Sequence, residues 1–149
     1  MELLRIEEIK GDKRRYMPLL LIGDESEVMI ERYLERGRLF VGMIGDATVA
    51  VTVVTEEADG WIEVKNLAVD SAFRRRGIGR TMLTHAESQY PGHDIRLGTG
   101  ETPSTLRFYK SCGYKVSHII PNFFTDNYDH PIIEEGVTLR DMIYLSKRI

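Results

Sequence analysis

Apolar and polar positions along the chain change period several times, and each change marks an element. Leu3-Leu4-Arg5-Ile6 is a short extended run that ends near Gly11-Asp12. From Arg14 to Leu21, Tyr16, Met17, Leu20 and Leu21 recur at helical spacing. Gly23 stops that helix, and Asp24 followed by Glu27 has the form of a capping box opening a second one, with Val28, Met29, Tyr33 and Leu34 as its apolar stripe up to Gly37. Arg38–Ile44 and Thr48–Thr55 are rich in Val, Phe and Ile and flank Gly45-Asp46, which predicts a hairpin. A turn over Glu56–Gly60 leads into a third strand, Trp61–Val69, so the three form an antiparallel meander.

After Gly79 the apolar positions Ile78, Met82, Leu83, Ala86 and Tyr90 return to helical spacing, and Pro91-Gly92 ends the helix. Asp94–Thr99 reads as a buried strand, which makes strand, helix and strand a right-handed parallel crossover. Ser104–Ser111 is a short helix behind Pro103, closed by Cys112-Gly113. Tyr114–Ile120 and Arg140–Leu145 are the last two strands, and Pro121–Val137 between them is aromatic and acidic with no clear period. A connection of that length in a small domain is usually functional or mobile. The order β, αα, βββ, α, β, α, ββ specifies an α/β domain with a mixed, mostly antiparallel sheet. The 149 residues suit one domain.

Charge changes the picture locally. The net charge of −3 disfavours a general nucleic-acid binder, yet Arg74, Arg75, Arg76 and Arg80 cluster between a strand and a helix. Such a cluster in an acidic chain suits one small anion. No apolar run reaches the roughly 20 residues that span a bilayer. Met1-Glu2-Leu3-Leu4-Arg5 lacks the basic-then-apolar order of a secretory signal, and Cys112 is the lone cysteine. The expectation is a cytoplasmic protein with no disulfide, no membrane segment and no metal. His85, His93, His118 and His130 are not spaced as metal ligands.

The turn Arg74-Arg75-Arg76-Gly77-Ile78-Gly79 leaves backbone N–H groups free at a helix start, where phosphate binds readily. A Rossmann fingerprint needs a third glycine where Met82 stands, and a P-loop needs lysine where Arg80 stands. The pattern Arg74-x-x-Gly77-x-Gly79, with the strand before it and Leu106-Arg107-Phe108-Tyr109-Lys110-Ser111-Cys112-Gly113-Tyr114 after it, resembles the GNAT superfamily of acyl-CoA-dependent N-acyltransferases. The resemblance is clear over roughly Trp61–Val116.

That resemblance implies a single-domain fold over residues 1–149, with six to seven strands, about four helices and a splayed parallel strand pair holding CoA. It implies acetyl-CoA as cofactor, with an amine acetylated by direct attack in a ternary complex. Backbone groups of Leu67, Ala68 and Val69 would pair with the pantetheine, and an N–H of Ala68 or Val69 would polarise the thioester oxygen. Amides of Arg75 to Gly79, Ile78 included, would hold the pyrophosphate, with Arg74, Arg75, Arg76 and Arg80 reaching toward the 3′-phosphate. Thr102, Thr105, Phe108 and Tyr109 would complete the cofactor contacts, although Thr102 stands where many members have asparagine. Tyr109 takes the place of the tyrosine that serves the leaving thiolate, with core packing as the other reading. Glu63 falls where one branch carries a catalytic glutamate, unless it pairs with Lys65 on the same face.

The acceptor is a primary amine, small and cationic or on a protein. Asp24, in the Ile22–Ser26 connection, and Phe124, Asp126 and Tyr128 offer carboxylates and aromatic walls for it. The same loop could instead cover a sheet edge or form a homodimer contact. A non-catalytic acyl-CoA sensor and an RNA binder are the rival functions.

Overall fold

The computed structural model describes residues 3–149, so the expectation about the N-terminal segment rests partly on Met1 and Glu2, which lie outside the described residues. The strands are β1 (Leu4–Ile9), β2 (Arg38–Ile44), β3 (Ala47–Glu56), β4 (Ile62–Val69), β5 (Asp94–Thr99), β6 (Lys115–Ile120), β7 (Ile133–Glu134), β8 (Val137–Thr138) and β9 (Met142–Arg148). The helices are α1 (Met17–Gly23), α2 (Glu27–Glu31), α3 (Ile78–Ser88), α4 (Pro103–Ser111) and α5 (Phe123–Asn127). Seven strands form one sheet in the order β1-β2-β3-β4-β5-β9-β6. Only β4 and β5 run parallel, because α3 carries the chain from one to the other; the remaining neighbours are antiparallel.

Each face of the sheet buries one apolar set. Ile78, Met82, Leu83 and Ala86 of α3 pack on Phe40, Val54, Ile62, Val64, Ile95 and Leu97, as the helical spacing after Gly79 requires. On the other face, Leu20, Ile30 and Leu34 cover Leu39, Val41, Val51, Val53 and Ala68. Lys13 anchors this second layer. Its side chain is buried, and Nζ donates to the carbonyls of Leu34, Glu35 and Gly37 at 3.2, 3.2 and 2.7 Å.

The meander β2-β3-β4 forms as expected, with two irregularities: Gly42 pairs with Ala50 and Met43 with Thr48, which leaves Val49 extra on β3, and a second lies on β4. Val53 pairs with Asn66 and Val54 with Val64, so Lys65 is a β-bulge. The parallel pairing of β4 with β5 covers Ile62–Val64 against Ile95–Leu97 and stops there. Beyond Lys65 the two strands separate, which is the expected splay.

Three local expectations need correction. Asp24 and Glu27 do not form a capping box: the cap of α2 is Ser26, whose hydroxyl accepts the Met29 N–H, while Asp24 accepts the Ser26 N–H. Glu27 instead pairs with Arg14. The last strand begins at Met142 rather than Arg140, because the Glu101 carboxylate captures the N–H groups of Arg140 and Asp141. The segment Pro121–Val137 carries structure after all, namely α5 and one strand of the ribbon β7–β8, so the helices number five among the described residues. Phe124, Ile132 and Leu139 form a small third core beneath this segment. No helix among the described residues is long and apolar enough to cross a membrane.

Candidate active site

Where β4 and β5 separate, a cavity of ≈ 810 Å³ opens. Asn66–Val69 forms one wall and Leu97–Gly100 the other, with Gly77–Arg80, Thr105, Phe108 and Tyr109 closing the α3–α4 side. The edges of a separated strand pair carry N–H and C=O groups that an extended ligand can bond as an added strand. Leu67, Ala68 and Val69 lie on this edge.

At the end of β4 the chain makes two left-handed residues close together, Arg75 at φ 64 and Gly77 at φ 78. Alternation of left- and right-handed residues turns successive N–H groups to one side and makes an anion nest. Gly77 caps α3 with no side chain answering its first turn, so the helix N-terminus adds its dipole to the same place. A Cβ on Gly79 would touch Phe108 and Val69 at ordinary distances, 3.5 and 3.7 Å, so the protein itself does not demand glycine there. Close approach of a ligand would.

The four arginines separate into different settings. Arg80 is pinned to the carbonyl and hydroxyl of Ser111 at 3.2 and 2.8 Å, and Arg74 folds back to the Val69 carbonyl at 3.4 Å. Arg76 stacks over the Phe73 ring and does not line the cavity. Arg75 lines it, and among the described residues its guanidinium has no hydrogen-bond or ion-pair partner in the protein.

Tyr109 projects from α4 with its ring edge-on to Phe108 and Tyr114. Burial, assisted by Cys112 and Glu134, pushes its phenol above the usual tyrosine range, so the hydroxyl stays protonated at neutral pH. Thr102 is buried outside the cavity wall, with its hydroxyl on Glu134 at 3.4 Å.

Glu63 lies among charged partners. It is buried, but Arg96 and Lys65 each bond one of its oxygens at 2.7 Å, and Tyr144 donates to it at 3.2 Å. Its carboxylate lies outside the cavity lining, in the ion pair with Lys65 that the shared strand face allowed.

On the acceptor side, Asp24, Phe124 and Tyr128 line the cavity together, while Asp126 points to solvent from the first turn of α5. Tyr128 donates to Asp24 at 2.8 Å across the cleft. Burial raises the Asp24 carboxyl above its ordinary range, opposed by the bonds from Tyr128 and Ser26. Asn66 and Glu134 are among the lining residues that the sequence argument did not single out. Asn66 donates to the Leu20 carbonyl and the Tyr33 hydroxyl, tying β4 to α1. Glu134 lies on β7, where the signal was present but weak: Glu135 and Gly136, both at positive φ, form a two-residue hairpin turn between Glu134 and Val137.

The comparisons with known proteins agree with this geometry. The acetyltransferase (GNAT) domain model matches residues 35–116. An uncharacterised N-acetyltransferase of Bacillus subtilis, YvbK, is 32% identical over 149 residues, with 97% of this chain and 96% of that protein covered. A GNAT family acetyltransferase from Elizabethkingia anophelis with acetyl-CoA bound has a TM-score of 0.91 and 29% identity, over 98% of each chain. An IAA acetyltransferase from Bacillus cereus also has a TM-score of 0.91, with 33% identity over 99% of this chain and 100% of its own. The chain belongs to the GNAT family of N-acetyltransferases.

Proposed function

We propose that this protein, as one N-acetyltransferase domain, moves an acetyl group from acetyl-CoA to a primary amine by direct attack. The observation that carries this reading is the convergence of a split strand pair, an anion nest and a protonated tyrosine on one cavity. The pyrophosphate sits on the amides of Arg75–Gly79, with Arg75 the side chain free to add charge. The pantetheine follows the Leu67–Val69 edge. An Ala68 or Val69 N–H stabilises the oxyanion as the amine attacks. The C–N bond forms as the C–S bond breaks, and the Tyr109 hydroxyl supports the departing sulfur.

The test is acetyl-CoA turnover across a panel of amines, read as free thiol, together with the thermal shift given by acetyl-CoA. Thiol release that depends on an amine is the expected result. A thermal shift without release on any amine would leave an acyl-CoA sensor instead.

Asp24 and Tyr128 hold the incoming cation. For Asp24→Asn, KM for the amine should rise about tenfold, the loss of one charge-assisted hydrogen bond. The same change should stabilise the free protein at pH 7. Because burial raises the folded-state pKa of Asp24, the native form binds its proton more tightly than the unfolded chain does. That stability is present at acid pH and is lost as pH rises through the folded-state value, so an uncharged isostere escapes the loss. Melting curves of both proteins at pH 4 and pH 7 check the sign: the variant's advantage should appear only at the higher pH.

A further inference from the structure

The acceptor arrives as an ammonium and must lose a proton before it can attack. Glu63 is compensated by Lys65 and Arg96, and Asp24 by the Tyr128 hydroxyl and the Ser26 N–H. Glu134 is the other carboxylate of the cavity wall. Its one side-chain contact is the long bond from the Thr102 hydroxyl at 3.4 Å, and among the described residues no cation pairs with it. The charged and titratable groups near it are Glu25 from the α1–α2 connection, Glu135 beside it and Tyr109 from α4, all anionic or neutral.

The ribbon that presents Glu134 is firmly seated. Glu135 accepts from the Ser104 hydroxyl at 2.7 and 2.8 Å, and the Leu139 N–H donates to the Ile132 carbonyl at 2.8 Å. Ile132 and Leu139 are buried on either side of it, and a Cβ on Gly100 would collide with Leu139, so β5 and the ribbon meet closely. Glu134 is therefore held over the same space that Tyr109 enters from α4.

Resting on the acetyl transfer proposed above, we infer that Glu134 is the proton acceptor for the attacking amine. Its carboxylate binds the ammonium and takes one N–H proton, and the freed lone pair attacks the thioester carbonyl. Nitrogen loses a second proton as the C–N bond forms and the C–S bond breaks. One of the two protons leaves through Glu134 to water and the other reaches the sulfur, so CoA departs as a thiol and the product is a neutral amide. Burial, reinforced by Glu25 and Glu135, holds the Glu134 carboxyl above the ordinary glutamate range, which suits a base working near neutrality.

The test is the pH profile of Glu134→Gln, an isostere that keeps the Thr102 contact, beside wild type and Glu134→Asp. At saturating acetyl-CoA, the Gln variant should lose about a hundredfold in kcat at pH 7. Its rate should then climb about tenfold per pH unit until the amine itself deprotonates, whereas wild type levels off earlier. The Asp variant should recover the levelling at a reduced rate, and the acetyl-CoA thermal shift should be the same in all three. A Gln variant whose profile still levels off as in wild type, or whose loss lies wholly in the amine KM, would overturn the role of Glu134 and leave acetyl transfer intact. A wild type that binds acetyl-CoA but acetylates no amine would overturn both.

Discussion

Replacing Tyr109 by phenylalanine is expected to lower kcat about a hundredfold while KM for acetyl-CoA stays within about twofold. The ring contributes packing against Phe108 and Tyr114, which phenylalanine keeps. Tyr109 lines the cavity, and removing its hydroxyl would delete the donor that the proposed reaction places at the sulfur. A thiolate leaves with a reference pKa near 8.5, and the buried phenol is a weaker acid than an ordinary tyrosine. In the proposed reaction Tyr109 would therefore act chiefly as a hydrogen-bond donor to developing charge rather than as a group that ionises in the working range. It follows that wild type should show no alkaline decline from this residue below about pH 10. Steady-state rates with a fixed amine, compared across pH for both proteins, test the two statements together. An unaltered kcat would remove the hydroxyl from the reaction.

Lys13→Met should be the most damaging change away from the cavity, costing about 3 kcal/mol and lowering the melting temperature by roughly 10 °C. Methionine fills a similar volume, so the loss is electrostatic. Three carbonyls at the end of the α2 region would be left facing a buried methyl group in place of three N–H donors. A cation also suits this end of a helix, where partial negative charge collects. Chemical denaturation gives the direct measure. The acetyl-CoA thermal shift should persist, since the β4–β5 opening lies on other elements; a midpoint equal to wild type would mean that water replaces the ammonium.

Much of this architecture could be read from periodicity. The α3 stripe, the β2–β3 hairpin and the crossover into β5 are local patterns, and each element needs only its own residues to declare itself. The position of β9 between β5 and β6 is different, because strand order depends on tertiary packing that no local period encodes. The nest at Arg75 and Gly77 was legible because glycine spacing and arginines coincide there. The partners of Glu63 were legible only as an alternative: Lys65 is two residues away, but Arg96 and Tyr144 arrive from other strands. Glu134 was hidden for a further reason. In the acidic run Ile133-Glu134-Glu135-Gly136, two adjacent glutamates look equally solvated, and only the turn makes one face Ser104 and the other the cavity.

The bulge at Lys65 has a consequence for how this cleft can change over generations. The bulge lies where β4 leaves β5, and it is a count of residues, one more on β4 than its partner β3 can match, and not the identity of any side chain. Point substitutions between Val64 and Asn66 that keep the strand should accordingly leave the slot open, however drastic their chemistry. Loss of a single codon would act quite differently. It would remove the bulge and bring the two halves of β4 into one regular register against β3, with Ile62 and Val64 still facing α3, and should let the parallel pairing with β5 run on past Val64 and close the slot. The wall should therefore tolerate an exchange of side chains that the length of this strand does not.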